Sequence, residues 1–226
     1  MGLEENYYAV VEGIRQAAIR AQREVATVKL VAVSKKQDPE KLRILWNCGQ
    51  RIFGENRIQE ARAKIPEMPS GGEWHFIGGL QTNKAKEAVE WFDVVESVDR
   101  MDLAEELQKR AEMAGKKIRV LLEVNVGGEA AKHGCPPEKT GELMKGMRGL
   151  GRLEVQGLMA IPPFREDPEN ARPFFRKLRE IRDHLEQAEG VALPELSMGM
   201  SHDHAVAIAE GATWVRIGTA LFGPRA

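Results

Sequence analysis

The chain has 226 residues, 42% of them hydrophobic, and its 33 Lys+Arg against 34 Asp+Glu leave a net charge of -1. That length and apolar content suit one core of substantial size, and the charge balance excludes the concentrated positive face on which nucleic-acid backbone binding depends. Cys48 and Cys135 show neither metal-ligand spacing nor a disulfide framework, the N-terminus lacks the apolar stretch of a signal peptide, and no apolar run approaches the ~20 residues of a bilayer span, so a cytoplasmic protein without membrane or nucleic-acid partners is expected.

An amphipathic helix over residues 5–25 comes first. It belongs to an N-terminal helical segment, residues 1–28, expected to pack on the barrel described next and to cover its bottom. Eight β-rich segments follow, at 29–34, 51–54, 74–78, 94–98, 118–125, 155–161, 195–199 and 214–218. Several are nearly continuous apolar runs (LVAV, VLLEV, VQGLMAI), as in parallel strands covered on both faces. Helical patterns lie between them. One begins near Asp99, sets Leu103, Leu107, Ala111 and Ala114 on one stripe, and stops at Gly115. Another spans 170–189 with a stripe of Phe174, Leu178, Ile181 and Leu185. This alternation predicts an α/β fold, a (β/α)₈ TIM barrel formed as a single domain by residues 1–226, with an open doubly wound sheet as the runner-up. The Pro/Gly-rich stretches 68–72 and 161–168 read as loops.

Lys35 directly follows the run LVAVS, which in a barrel places it at the C-terminal mouth, where active groups gather. A lysine whose stem lies among apolar walls has its amine pKa lowered by desolvation and becomes nucleophilic enough to form an imine. Position alone leaves two alternatives: Lys35 as an ordinary strand-ending residue, or its neighbour Lys36 as the reactive amine. Alternation points only one of the pair inward. Ser201 falls after the seventh strand, and Gly218 and Thr219 after the eighth. A hydroxyl, a glycine that allows close approach and free backbone N–H groups there suit a phosphate; a serine cap and a tight turn explain the same residues without one. Alternation sets Arg216 on the inner face with Trp214 and Gly218, and a buried arginine asks for an anionic or acceptor partner. Glu55 and Asn56 end the second strand at the same mouth, joined from the third by His75, Gln81, Asn83 and Lys84. His202, Asp203 and His204 are spaced to point apart, so no metal site is expected. His133 and His184 are assigned no role.

Taken together, these segments resemble the pyridoxal phosphate homeostasis protein family. The resemblance runs in order through AVSK, FGEN–IQE, WHFIG–LQTNK, LLEVNVGGEAAKHG, GLMAIPP, LSMGMS–D and VRIGTALFG, from about residue 30 to 223. It implies that Lys35 carries pyridoxal 5′-phosphate (PLP) as a Schiff base, that Ser201, Gly218 and Thr219 bind the phosphate, that Asn56 lies near the ring, and that Arg216 faces the pyridine nitrogen, as in the related alanine racemase barrel. The sequence departs from the family pattern at Pro39, one place later than usual, at Gly79, where a bulkier residue is common and whose absence is expected to widen the mouth, and at His204, where an apolar residue is frequent.

Arg216 constrains the chemistry. A guanidinium stays protonated and only donates, so a ring nitrogen facing it stays unprotonated and is a poor electron sink. In the alanine racemases the second acid/base is a tyrosine from another domain; the only tyrosines in this chain, Tyr7 and Tyr8, precede the barrel. The expectation is therefore a non-enzymatic PLP-binding monomer with no catalytic residues, serving intracellular vitamin B6 homeostasis and amino-acid balance and delivering PLP to apo PLP-dependent enzymes. A racemase of low activity and a Schiff-base aldolase on a phosphorylated substrate are the alternatives, and the aldolase would leave Arg216 without a partner.

Overall fold

The computed structural model describes residues 2–129 and 133–223. In chain order the elements begin with α1 (Leu3–Arg20), β1 (Lys29–Val33), α2 (Pro39–Asn47), β2 (Ile52–Glu55) and α3 (Ile58–Lys64). There follow β3 (Glu73–Phe76), α4 (Ala85–Trp91), β4 (Val94–Val98), α5 (Met101–Met113) and β5 (Ile118–Glu123). The chain continues through α6 (Thr140–Met147), β6 (Leu153–Met159), α7 (Arg172–Glu189), β7 (Glu195–Ser197), α8 (His204–Ala209), β8 (Trp214–Ile217) and the short α9 (Thr219–Phe222). All eight strands are parallel, neighbours in sequence are neighbours in space, and β8 pairs back onto β1 to close the barrel. The expected strands match these to within two residues at either end, and closure rules out the open sheet.

Strand alternation divides the apolar residues into two layers. Outward residues such as Leu30, Ala32, Val95, Leu122, Val215 and Ile217 join the large core between strands and helices. Inward residues Val31, Val94, Leu121, Met159 and Trp214 form a small cluster inside the barrel. Polar side chains also turn inward toward the mouth: Glu96, Glu123, Ser197 and Arg216 are all buried. Alternation from Val94 sets Glu96 inward, and a register shift between Val95 and Val98 in β4 returns Val98 to the outer core.

Two helix expectations need correction. α1 does not cover the barrel bottom. It packs in the outer ring against α2, α8 and α9, burying Tyr7, Val10, Ile14, Ala17 and Ala18, with Asn6 Nδ2 donating to the Leu221 carbonyl at 2.9 Å. Helical periodicity gives α1 an apolar face but does not specify which groove receives it. In α7 the buried apolar residues are Phe175, Leu178 and Leu185, while Phe174 and Ile181 are half-buried. The helix begins at Arg172, after a 3₁₀ turn over Pro168–Ala171, and Phe174 in its first turn still packs against the core. Among the described residues, no helix is long and apolar enough to cross a membrane.

Candidate functional site

β1 delivers Ser34 and Lys35 to the C-terminal mouth. Lys35 is half-buried and lines a small pocket with Gln37, Gly218, Thr219 and Phe222. Lys36 is exposed and has a left-handed backbone, φ 59°. Its N–H donates to Glu60 Oε2, which turns it out of the strand and leaves Lys35 facing the pocket.

The β1–β8 register pairs Val31 with Arg216 and Ala32 with Ile217, so Gly218 lies against Val33. Ser201 reaches the same turn: its Oγ accepts from the Ala220 N–H at 3.2 Å. Lys35, Gly218 and Thr219 therefore share one pocket, and Ser201 is tied to the turn that forms its wall. Asn56 follows β2 and is half-buried, and its Oδ1 is buried with no hydrogen-bond partner. An unsatisfied buried acceptor costs about 1–3 kcal/mol, which a donor from a ligand would relieve. The chain packs so closely behind Asn56 that a Cβ on Gly78 would lie 2.6 Å from its carbonyl oxygen, so only glycine fits there.

Beneath the mouth Arg216 is buried, and its partners come from the protein. Nη1 donates to Ser197 Oγ at 2.6 Å, Nη2 donates to the Ala160 carbonyl at 2.9 Å, and Glu96 Oε2 lies 3.8 Å away. Burial lowers the guanidinium pKa, opposed by the charges of Glu96, Glu123 and Asp203. The expectation that Arg216 requires a partner is thus met inside the barrel, so an aldolase reading no longer leaves it unpaired.

Ser197 Oγ in turn donates to Glu96 Oε2 at 2.5 Å, Glu96 Oε1 bonds His75 Nδ1 at 2.6 Å, and His75 Nε2 bonds Glu73 Oε1 at 2.7 Å. Arg119 Nη2 meets Glu73 Oε2 at 3.2 Å. A chain of alternating charge therefore runs through the barrel from Arg216 to Arg119. Burial opposes charging His75, but its bonds to Glu73 and Glu96 outweigh that and hold its pKa above the ordinary imidazole value. His75 is thus not at the mouth as expected; it lies fully inside the barrel with its ring 4.6 Å from that of Trp214.

Glu55 ends β2 and Lys84 follows β3, as expected, and both are paired within the protein. Glu55 is buried and pairs with Lys64 at 2.7 Å. Lys84, in a 3₁₀ turn over Thr82–Lys84, pairs with Glu87 at 2.8 Å. Gly79 does not widen the mouth: the His133 imidazole occupies the space, and a Cβ on Gly79 would lie 2.8 Å from its Nε2. His202 Nε2 bonds the Glu166 carbonyl at 2.8 Å, while His204 lies against Gly13, so the two rings face different neighbours. Part of the LLEVNVGGEAAKHG motif, residues 130–132, lies outside the described residues.

Sequence reasoning missed Glu96, Ser197, Glu123 and Lys64. Glu96 was findable, because a glutamate inside VVESV at the spacing of the inward residues is a natural counter-charge for Arg216. Glu123, at the end of β5, has its pKa raised to about 7, first by burial and then by the charges of Asp99 and Glu96, against the pull of Arg216. A carboxyl with a raised folded-state pKa weakens the fold progressively as pH climbs from its unfolded value to its folded value, and the cost is constant above that. Glu123→Gln should therefore melt increasingly above the native protein as pH rises from 5 to 8, by up to about 3 kcal/mol at the upper end. Melting curves across that range check this; a difference independent of pH would contradict it.

The family described as alanine racemase, N-terminal domain, matches residues 11–226. A pyridoxal phosphate homeostasis protein of Aquifex aeolicus is 50% identical over 98% of this chain and 97% of its own. One from Pseudomonas aeruginosa is 43% identical over 99% and 96%. The solved structure of PipY from Synechococcus elongatus, with PLP bound, superimposes with a TM-score of 0.84 at 37% identity, covering 98% of this chain and 100% of that one. The barrel, its mouth and these full-length matches agree: the chain belongs to the pyridoxal phosphate homeostasis protein family, within the alanine racemase N-terminal domain group.

Proposed function

We propose that this chain binds PLP as a Schiff base on Lys35 and serves intracellular PLP homeostasis as a carrier without a catalytic role. The observation that carries the reading is the convergence at one mouth of Lys35, Gly218 and Thr219 in a single pocket, with Ser201 bonded to its wall. The residues fit the cofactor: Gly218, Thr219 and Ser201 would hold the phosphate, Asn56 offers an unsatisfied acceptor, and Arg216 would face the ring nitrogen. PLP bound in PipY and the homeostasis names of the relatives support the same ligand.

Bound PLP supplies an aldehyde for an amine and a ring that draws off electrons when its nitrogen is protonated. Arg216 can only donate, so it opposes that protonation. Tyr7 is packed into the outer core from α1 and Tyr8 is exposed on the same helix, and the carrier reading assigns neither a role as second acid/base. The carrier reading extends to a cytoplasmic monomer that passes PLP to apo-enzymes and so affects amino-acid balance.

A second reading, an amino-acid racemase of low activity, is favoured by Glu123, whose pKa of about 7 suits proton transfer. One experiment separates the two. Purified protein titrated with PLP should develop the absorbance band of an imine yet exchange no α-proton of an amino acid in deuterated water. Turnover at ~1 per second or faster would overturn the carrier reading, and exchange lost in Glu123→Gln would assign the base. No imine band would favour the aldolase.

A further inference from the structure

We propose that Lys64 is a positioning residue for Lys35: with Glu60, its buried ammonium fixes the peptide groups on both sides of the Lys35 Cα and so aims the amine into the pocket. This rests on the reading of Lys35 as the cofactor lysine. Lys64 ends α3 and is only 6% exposed. Its Nζ donates to the Ser34 carbonyl at 2.8 Å, to Glu55 Oε1 at 2.7 Å and to Glu60 Oε2 at 2.9 Å. The Ser34 carbonyl belongs to the peptide that enters Lys35. The peptide that leaves Lys35 donates its N–H, that of Lys36, to the same Glu60 oxygen that Lys64 holds.

A purely structural ion pair would need only Glu55, which ties α3 to β2. The bond to Ser34 and the shared Glu60 oxygen reach beyond that, to the one backbone segment that carries Lys35. Ser34 is gripped further: its N–H donates to the Gly54 carbonyl at 3.0 Å and its Oγ to Glu55 Oε1 at 2.7 Å. The hold on Lys36 also supports a left-handed φ that an L-residue seldom adopts. Releasing Glu60 frees the Lys35–Lys36 peptide to rotate, and with it the direction of the Lys35 side chain. Every bond donated by Lys64 Nζ is to a charged or buried acceptor, so a neutral side chain cannot replace the ammonium.

The test separates aiming the amine from shaping the pocket. Native protein and Lys64→Met are titrated with PLP and with pyridoxine 5′-phosphate, which has the same phosphate and ring but an alcohol where PLP has the aldehyde. Lys64→Met is expected to slow the appearance of the imine band and to weaken PLP binding by about tenfold, while pyridoxine 5′-phosphate binds within twofold of native. Equal losses for both ligands, or no loss for PLP, would overturn the proposal. If Lys64→Met does not fold, Glu60→Ala, altered at a partly exposed residue, takes its place. It is expected to slow imine formation at least threefold with the alcohol's binding unchanged, and an unchanged rate overturns the proposal. A Lys35→Ala protein that binds PLP as tightly as native would instead refute the reading of Lys35 itself, an outcome that Lys64 variants do not produce.

Discussion

Lys35→Ala is expected to abolish the adduct that borohydride traps between PLP and the protein, while Lys36→Ala keeps it. The two lysines are adjacent in sequence and differ in exposure, backbone conformation and what they face. Lys35 is half-buried and lines the pocket with Gly218 and Thr219. Lys36 is exposed, and its left-handed backbone turns it away. An imine needs an amine within reach of the carbonyl carbon of a PLP whose phosphate would sit at Gly218 and Thr219, and of the two lysines only Lys35 lines that pocket. The pocket wall at Gly218, Thr219 and Ser201 remains in Lys35→Ala, so phosphate contacts should still give weak, non-covalent binding without the imine band. Peptide mass mapping of the reduced protein decides the assignment: a pyridoxyl group on Lys36, or an undiminished adduct in Lys35→Ala, would overturn it.

The contrast between these neighbours also shows what the sequence disclosed and what it concealed. Strand positions were legible because runs such as LVAV and VLLEV announce parallel strands covered on both faces, and the mouth followed because Lys35, Asn56 and Gly218 sit just past strand ends. The polar chain in the barrel was not legible. Its members, Arg216, Ser197, Glu96, His75, Glu73 and Arg119, come from five strands, β8, β7, β4, β3 and β5, and apart from Glu73 and His75 no local spacing links them. His75 was misplaced to the mouth for the same reason: WHFIG shows a strand end, but the two carboxylates that hold the imidazole inside the barrel lie on its own strand and on β4. Lys64 was hidden differently. At i+4 from Glu60 it reads as an ordinary helix-surface ion pair, and only the approach of α3 to the end of β1 turns that pair inward. α1 was recognised as amphipathic but assigned the wrong surface, because a stripe of Tyr7, Val10, Ile14 and Ala17 fits a groove between outer helices as well as a barrel floor.

Arg216→Met should destabilise the ligand-free protein by about 3 kcal/mol, the low end of the range for removing one partner of a buried ion pair. The low end is chosen because Glu96 lies 3.8 Å from the guanidinium and retains its bonds to Ser197 and His75. At roughly 2–4 °C per kcal/mol for a chain of this size, melting should fall by about 10 °C. Most of the loss comes from the carboxylate left behind: without Arg216, Glu96 sits fully buried with its charge balanced only by His75, which Glu73 already shares. Neutralising that carboxylate should recover part of the stability, so Arg216→Met with Glu96→Gln is expected to melt above Arg216→Met alone, and the double-mutant cycle gives the coupling directly. The same cycle separates the two roles of the arginine. If Arg216 served only the ring nitrogen of PLP, Arg216→Met would weaken ligand binding and leave the melting temperature of the ligand-free protein unchanged. If it also anchors the interior chain, both fall together in Arg216→Met, and only the stability recovers with Glu96→Gln. A ligand-free melting temperature unaffected by Arg216→Met would show that the chain from Arg216 through Ser197 and Glu96 to His75 contributes nothing to the barrel.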